Sequence, residues 1–256
     1  MIEILGYIFF MLAGLLFGLF GSGGSIIIIP ILIYIFKLSI YEATTYSLLL
    51  VFITSFIGTV KHIYQKNFHI PNLAFFIVPT LVFTFLSRTF LFPALPDYFD
   101  ILNISKDSLL MLLFSVVIFL ASLSFFRKIQ INIKSNDQLL FLIGVIIGVL
   151  TGLLGIGGGF IIVPSLVLFA GLDMRQAASS TLFIIMLNTL LALILELTIF
   201  QFKFNISFII ELLSMLLMGI IIGIKLLNNI DLNIVKKLFS ITLLVLSLCL
   251  FLLELF

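Results

Sequence analysis

Gly14-Leu-Leu-Phe-Gly18-Leu-Phe-Gly21-Ser22-Gly23-Gly24-Ser25, then Pro30, then Ala43-Thr44-Thr45-Tyr46-Ser47-Leu48, returns 134 residues later. The second copy is Gly148-Val-Leu-Thr-Gly152-Leu-Leu-Gly155-Ile-Gly157-Gly158-Gly159, then Pro164, then Ala177-Ala178-Ser179-Ser180-Thr181-Leu182. The match has no gap. Glycines 14, 18, 21, 23 and 24 fall on glycines 148, 152, 155, 157 and 158, Pro30 on Pro164 and Ala43 on Ala177. An apolar chain repeats Leu and Ile by chance, but chance does not keep glycine and proline in register over 35 positions. The pattern reads as a duplication, with a first repeat over 1–130 and a second over 131–256, together one integral membrane domain.

Composition sets the surroundings. Of 256 residues 63% are hydrophobic and 9% charged, with 13 Lys+Arg against 11 Asp+Glu, a formal net charge of +2, 30 Phe and no Trp. Soluble domains are about half apolar and about a quarter charged. These values exclude a soluble globular domain, a disordered chain and a nucleic-acid binder, which carries a basic face. They describe an all-α polytopic membrane protein. One crossing takes about 20 apolar residues, so the length holds roughly eight to ten. The lone Cys249, inside an apolar run, can form neither an internal disulfide nor a dithiol redox pair and reads as a small hydrophobe. The first apolar stretch follows Glu3 and lacks a basic n-region and a small-residue cleavage site. It is expected to stay in the membrane rather than be cleaved.

Ten apolar stretches fall at roughly 4–20, 25–36, 43–60, 72–92, 108–126, 138–154, 159–170, 177–200, 206–224 and 238–256. They must be helical, because lipid offers the backbone no partners. Stretches 25–36 and 159–170 are too short to cross about 30 Å at about 1.5 Å per residue. Each follows a glycine cluster, so each is expected to fold back as the second arm of a glycine-broken hairpin. With both termini outside, Lys61, Lys66, Arg127, Lys128, Lys134, Arg175, Lys225, Lys236 and Lys237 are cytoplasmic, against Lys37, Lys106 and Lys203 outside. Other registers scatter these charges. Five segments with one hairpin change sides, so the halves are expected to be inverted repeats, the construction of many secondary transporters.

The runs Gly21-Ser22-Gly23-Gly24-Ser25 and Gly155-Ile156-Gly157-Gly158-Gly159 break the helix in mid-membrane sequence. Irregular backbone survives at that depth only where protein buries it or a cavity hydrates it. A helix restarting after each run points its free N–H groups and positive dipole end back at the cluster. Two such ends meeting near the midplane would hold an anion without a buried cation. Gly14-x-x-x-Gly18, Gly144-x-x-x-Gly148-x-x-x-Gly152 and Gly219-x-x-x-Gly223 read instead as packing faces. Nucleotide motifs fail: no Gly-Lys-[Ser/Thr] follows, and a dinucleotide pattern would need glycine at Ile26 or Phe160.

Hydroxyls open the next helix in each half: Thr44, Thr45 and Ser47, then Ser179, Ser180 and Thr181. They can contact an anion or cap and pack the helix, as Glu42 and Asp173 also can. Asn188 lies deeper in the same helix, opposite Thr54 in the repeat, as interhelical glue or ligand contact. The ionisable groups within segments are Arg88, Glu196 and Glu211. Arg88 is expected to pair with one glutamate, and Glu196 or Glu211 is a candidate for carrying a coupling proton. His62, the repeat mate of Glu196, sits at a membrane boundary, where a solvated histidine is the ordinary case.

The duplicated pattern resembles the TauE/SafE family of sulfite-exporter-like permeases. Its hallmark, once per half, is Gly-x-Gly-Gly-Gly, a proline a few residues on, and an Ala-x-Gly-Thr-Ser-Leu-like stretch. The second copy fits best, with Gly155-Ile-Gly157-Gly158-Gly159, Pro164 and Ala177 to Leu182. The first has Ser25 where glycine is usual, and neither copy has Gly-Thr-Ser. The resemblance implies a multi-pass plasma-membrane transporter of small anions. Sulfite, a sulfonate or another sulfur-containing anion is the expected substrate. Gly21, Ser22, Gly23, Gly24, Ser25, Thr45, Ser47, Gly155, Gly157, Gly158, Gly159, Ser179, Ser180, Thr181 and Asn188 are the candidate substrate residues. No cofactor, metal or nucleic acid is expected; the partners are a small anion and the lipid bilayer. A non-transporting subunit or scaffold is the alternative, and an intramembrane enzyme a further one, though the segments hold neither paired aspartates nor a His-rich cluster.

Overall fold

The computed structural model describes residues 2–20, 23–64, 73–100, 103–126, 137–155, 157–172, 174–227 and 232–255. Among the candidate residues, Gly21 and Ser22 lie outside these ranges, as does Asp173.

Helix α1 (Ile2–Phe20) ends at the first glycine run, and α2 (Ser25–Pro30) starts after it. A π-helical turn, Ile31–Ile35, extends α2 past Pro30, whose missing N–H interrupts the regular ladder. Helix α3 (Ile40–Tyr64) opens on a capping box. The Ser39 Oγ accepts from the Glu42 N–H at 3.3 Å, and a Glu42 carboxylate oxygen accepts from the Ser39 N–H at 3.0 Å. This fixes Glu42 as a cap and frees the next hydroxyls for other partners. Helix α4 (Ala74–Leu86) continues through a second π-helical turn, Ser87–Leu91, into the short α5 (Phe92–Ala94). Pro93 follows this turn, and the Phe92 N–H reaches back five residues to the Ser87 carbonyl. A two-stranded hairpin, β1 (Tyr98–Phe99) with β2 (Ile104–Ser105), pairs Tyr98 with Ser105 and leads into α6 (Lys106–Phe126).

The second half gives α7 (Asp137–Leu154), α8 (Gly159–Phe169), α9 (Met174–Thr198), α10 (Ile206–Leu227) and α11 (Leu232–Leu255). Among the described residues six stretches are long and apolar enough to cross a bilayer: Ile40–Tyr64, Ala74–Ala94, Lys106–Leu123, Asp137–Leu154, Gln176–Thr198 and Ile206–Leu226. Ile4–Leu19, Ser25–Ile35 and Ser240–Glu254 are shorter apolar helices. With 11 residues, α8 is about 16 Å long at about 1.5 Å per residue, half a crossing. The hairpin between α5 and α6 and both π turns had no counterpart in the hydrophobic pattern.

Helix packing runs between the halves. α1 packs on α10, α4 on α7, α3 on α9 and α6 on α11. Exchanging each element for its counterpart in the other half leaves this set of partners unchanged. The spaced glycines make the first two contacts close. A Cβ on Gly14 or Gly18 would overlap the carbonyl oxygen of Leu216 or Ile220, and one on Gly219 or Gly223 that of Met11 or Leu15. In the α4–α7 pair, a Cβ on Gly148 would lie 2.7 Å from the Thr80 carbonyl oxygen and one on Gly144 2.8 Å from that of Phe76. Such approach lets hydroxyls bridge: Thr84 Oγ1 donates to the Gly148 carbonyl at 3.3 Å and Ser87 Oγ to that of Val149 at 3.0 Å. These glycines are packing faces.

Candidate functional site

Gly157 lies where α3 and α9 meet. A Cβ there would stand 2.7 Å from Ile185 Cγ2, 3.0 Å from Val51 Cγ1 and 3.5 Å from Thr189 Cγ2. Val51 and Ile185 sit close to the midpoints of two 25-residue helices and are themselves repeat mates. The backbone reaches this point through glycine conformations. Gly155, Gly157 and Gly158 have φ of 65°, 69° and 71°, a region other residues enter at a cost. Gly158 is the left-handed cap from which α8 starts at Gly159. Its carbonyl accepts from the N–H groups of Ile161 at 2.9 Å and Ile162 at 3.0 Å. The earlier N–H groups of a helix have no intrahelical acceptor and mark its positive end.

Buried polar groups without partners gather on these elements. Among the described residues Ser47 Oγ, Thr151 Oγ1, Thr181 Oγ1 and both amide atoms of Asn188 have no hydrogen-bond partner. Ser47, Thr181 and Asn188 are 0% exposed and Thr151 1%. Helical spacing puts Ser47, Val51 and Thr54 on one face of α3 and Thr181, Ile185 and Asn188 on the matching face of α9. Those are the faces whose central residues touch Gly157. Thr151 Oγ1 lies 3.2 Å from where a Cβ on Gly158 would be. Buried polar groups almost always find partners, and each exception costs about 1–3 kcal/mol. Here the exceptions share one neighbourhood. Thr54, opposite Asn188 in the repeat, differs: its hydroxyl donates back to the Leu50 and Val51 carbonyls, each at 3.0 Å.

A charged cluster sits towards the α3 N-terminus. Arg88, held on the second π turn, pairs its Nε with Glu196 Oε1 at 2.5 Å, with exposures of 1% and 0%. Its terminal nitrogens donate to Thr44 Oγ1 at 3.2 and 3.3 Å, to Thr45 Oγ1 at 3.0 Å and to the Gly152 carbonyl at 3.4 Å. The Tyr41 hydroxyl donates to the second Glu196 oxygen at 2.6 Å. The guanidinium carbon lies 4.6 Å from the Phe92 ring centroid and 5.6 Å from that of Tyr41. Of the two glutamates expected as partners, Glu196 is the one. Glu211 is apart, exposed on α10, and accepts from the Tyr7 hydroxyl.

The remaining candidates divide. Gly23, Gly24 and Ser25 are buried at the α1–α2 break, with Gly24 in the right-handed region at φ −71°. A Cβ on Gly24 would overlap the Ala13 carbonyl oxygen and the Phe17 ring, so this glycine supplies space. A Cβ on Gly155 would stand 2.7 Å from the Thr44 carbonyl oxygen, which joins the second glycine run to the Arg88 cluster. Thr45 is turned to Arg88, and Ser179 Oγ donates to the Gln176 carbonyl at 3.0 Å. Ser180 is buried beside it. Thr151, Thr189 and Tyr41 were missed from the sequence. Thr151 sits inside the quoted motif, but nothing in the pattern tells a back-bonded threonine from an unpartnered one.

The family model for sulfite exporter TauE/SafE matches residues 7–250. The chain is 30% identical over 207 residues to a "probable membrane transporter protein" of Methanocaldococcus jannaschii, covering 77% of this chain and 72% of that one. No solved structure matches it. The chain belongs to the TauE/SafE family of multi-pass membrane transporters.

Proposed function

We propose that the chain is a secondary transporter of a small anion, working by alternating access of two inverted repeats, 1–130 and 131–256, around the paired glycine breaks. The observation that carries this is the set of unpartnered buried groups about Gly157: Ser47, Thr151, Thr181 and Asn188, beside the N-terminus of α8. Hydroxyl and amide donors with a helix N-terminus suit an oxyanion, and none of them adds a charge at membrane depth. The exchange-invariant packing of the helices supports the inverted-repeat arrangement. The family's description narrows the substrate to sulfite, a sulfonate or a related sulfur-containing anion.

Flux of sulfite into proteoliposomes holding the purified protein, with and without an imposed pH gradient, tests this. Saturable uptake above empty liposomes, lost in a folded Gly158→Val variant, is expected. Saturable flux of another sulfur or carboxylate anion instead would move the substrate and keep the mechanism. Wild-type flux through Gly158→Val would sink the glycine site. A protein that moves none of these anions would overturn the reading in favour of a scaffold.

A further inference from the structure

The Arg88–Glu196 pair is not needed to hold the fold together. Two charges buried together cost several kcal/mol each in desolvation, and an apolar pair of similar volume is often as stable. The other half does without one: the repeat mates of Arg88 and Glu196 are Ile222 and His62. The pair also sits on a π turn, a feature frequent at functional sites. Its position is connected to the unpartnered groups. Thr44, gripped by Arg88, and Ser47 lie on one face of α3, three residues and about 4.5 Å of helix rise apart. Glu196 shares a face of α9 with Thr189 and Ile185, both in contact with Gly157.

We propose, resting on the anion-transport reading above, that Arg88 is a binding point for the transported anion and that Glu196 occupies it when the anion is absent. The Glu196 carboxylate takes a proton from water on the side open at that moment and releases the guanidinium. The anion then accepts the N–H groups that Glu196 gave up. Charge balance requires the proton. Arg88 with ionised Glu196 is neutral, and so is Arg88 with protonated Glu196 and a monoanion. An anion added to the intact pair would leave one uncompensated negative charge at membrane depth. Release of the anion reverses both steps, so one proton travels with each monoanion in the same direction.

The surroundings of Glu196 leave Arg88 as its charge partner. The π turn brings Arg88 and α3 brings Tyr41. Among described residues α7 carries only Asp137, at its far end, and α8 no titratable group. Glu42 is held by Ser39, and Lys203 in the loop after α9 is exposed. Beyond the Phe92 ring stands Lys106, its ammonium 4.2 Å from the centroid, with Asp97 and Asp107 as acidic neighbours.

The test uses methanesulfonate, whose charge does not change with pH near neutrality, in proteoliposomes carrying a trapped pH dye. For wild-type protein, inward methanesulfonate gradients should drive proton entry. Its apparent affinity should rise as pH falls, by up to about tenfold per pH unit while Glu196 is ionised in the empty site. Glu196→Gln, which mimics the protonated acid, should carry methanesulfonate without proton movement and with affinity flat in pH. Arg88→Gln should lose at least about tenfold in flux, the scale of one lost charge-assisted contact. The double variant Arg88→Met/Glu196→Leu guards against misfolding. It should stay monodisperse with an unchanged or higher melting temperature, yet lose flux. Full flux in that double variant, or wild-type proton movement in Glu196→Gln, would overturn the proposal. If methanesulfonate flux still depended on Asn188, the anion reading would stand without it. Wild-type vesicles that take up no methanesulfonate would overturn both for sulfonates.

Discussion

Gly24 and Gly158 hold the same place in the two repeats and do different work. Gly24 has φ −71°, which any residue adopts, but the Ala13 carbonyl and the Phe17 ring leave no room for a side chain. Gly158 has φ 71°, with its nearest neighbours at 3.1 and 3.2 Å from a built Cβ. One glycine is required for space and the other for backbone conformation. A repeat can therefore preserve a residue while changing the reason for it. The first half spends its glycine on packing α2 against α1. The second spends its run on bringing an irregular backbone to the middle of α3 and α9.

Substituting alanine at each position separates the two reasons. Gly24→Ala drives a methyl into a carbonyl oxygen of α1, which cannot rotate away. It should cost about 3 kcal/mol, the upper range for overpacking, with early unfolding in a thermal melt. Gly158→Ala should cost about 1–2 kcal/mol, the left-handed penalty alone, and lose more flux than its stability loss explains. Equal destabilisation with equal flux loss would erase the distinction between the two breaks.

The second contrast lies between Asn188 and its mate Thr54. Thr54 satisfies itself by bonding back along its own helix, whereas the Asn188 amide has no partner among the described residues. Asn188→Leu removes an unsatisfied buried group and should stabilise the protein by up to about 1–3 kcal/mol while abolishing flux. Thr54→Val should leave flux near wild type. A destabilised Asn188→Leu protein would mean that the amide is glue between helices and not a ligand contact.

How much of this the sequence reveals follows from which forces act locally. Helix boundaries were legible within a few residues because lipid forces continuous apolar helices, so 138–154 became Asp137–Leu154 and 159–170 became Gly159–Phe169. The packing glycines were legible from their spacing of four. Glu42 was legible as a cap, and Arg88 as the partner of a glutamate. Which glutamate was not, since pairing across 108 residues depends on how α4 and α9 pack against each other. The π turns were hidden because a proline signals a break without its form. Thr151 was hidden because a threonine's partner is set by its rotamer and neighbours.

The finest contrast is between Ser47 and Thr181, repeat mates that are both buried and both unpartnered. Neither hydroxyl holds a neighbour, so Ser47→Ala and Thr181→Val should each change stability by only a few tenths of a kcal/mol, well below a net hydrogen bond of about 1 kcal/mol. Each should weaken anion affinity by about two- to tenfold, the worth of one neutral hydrogen bond in a ligand contact. The ratio between them carries the information. Equal losses would put the anion midway between α3 and α9, where Gly157 touches Val51 and Ile185 alike. A larger loss in Thr181→Val would shift it towards Asn188, making the second half the binder and the first half the wall. A larger loss in Ser47→Ala would shift it towards Thr44 and Arg88. No loss in either would remove these hydroxyls from the site and leave the α8 N-terminus and Asn188 to hold the anion.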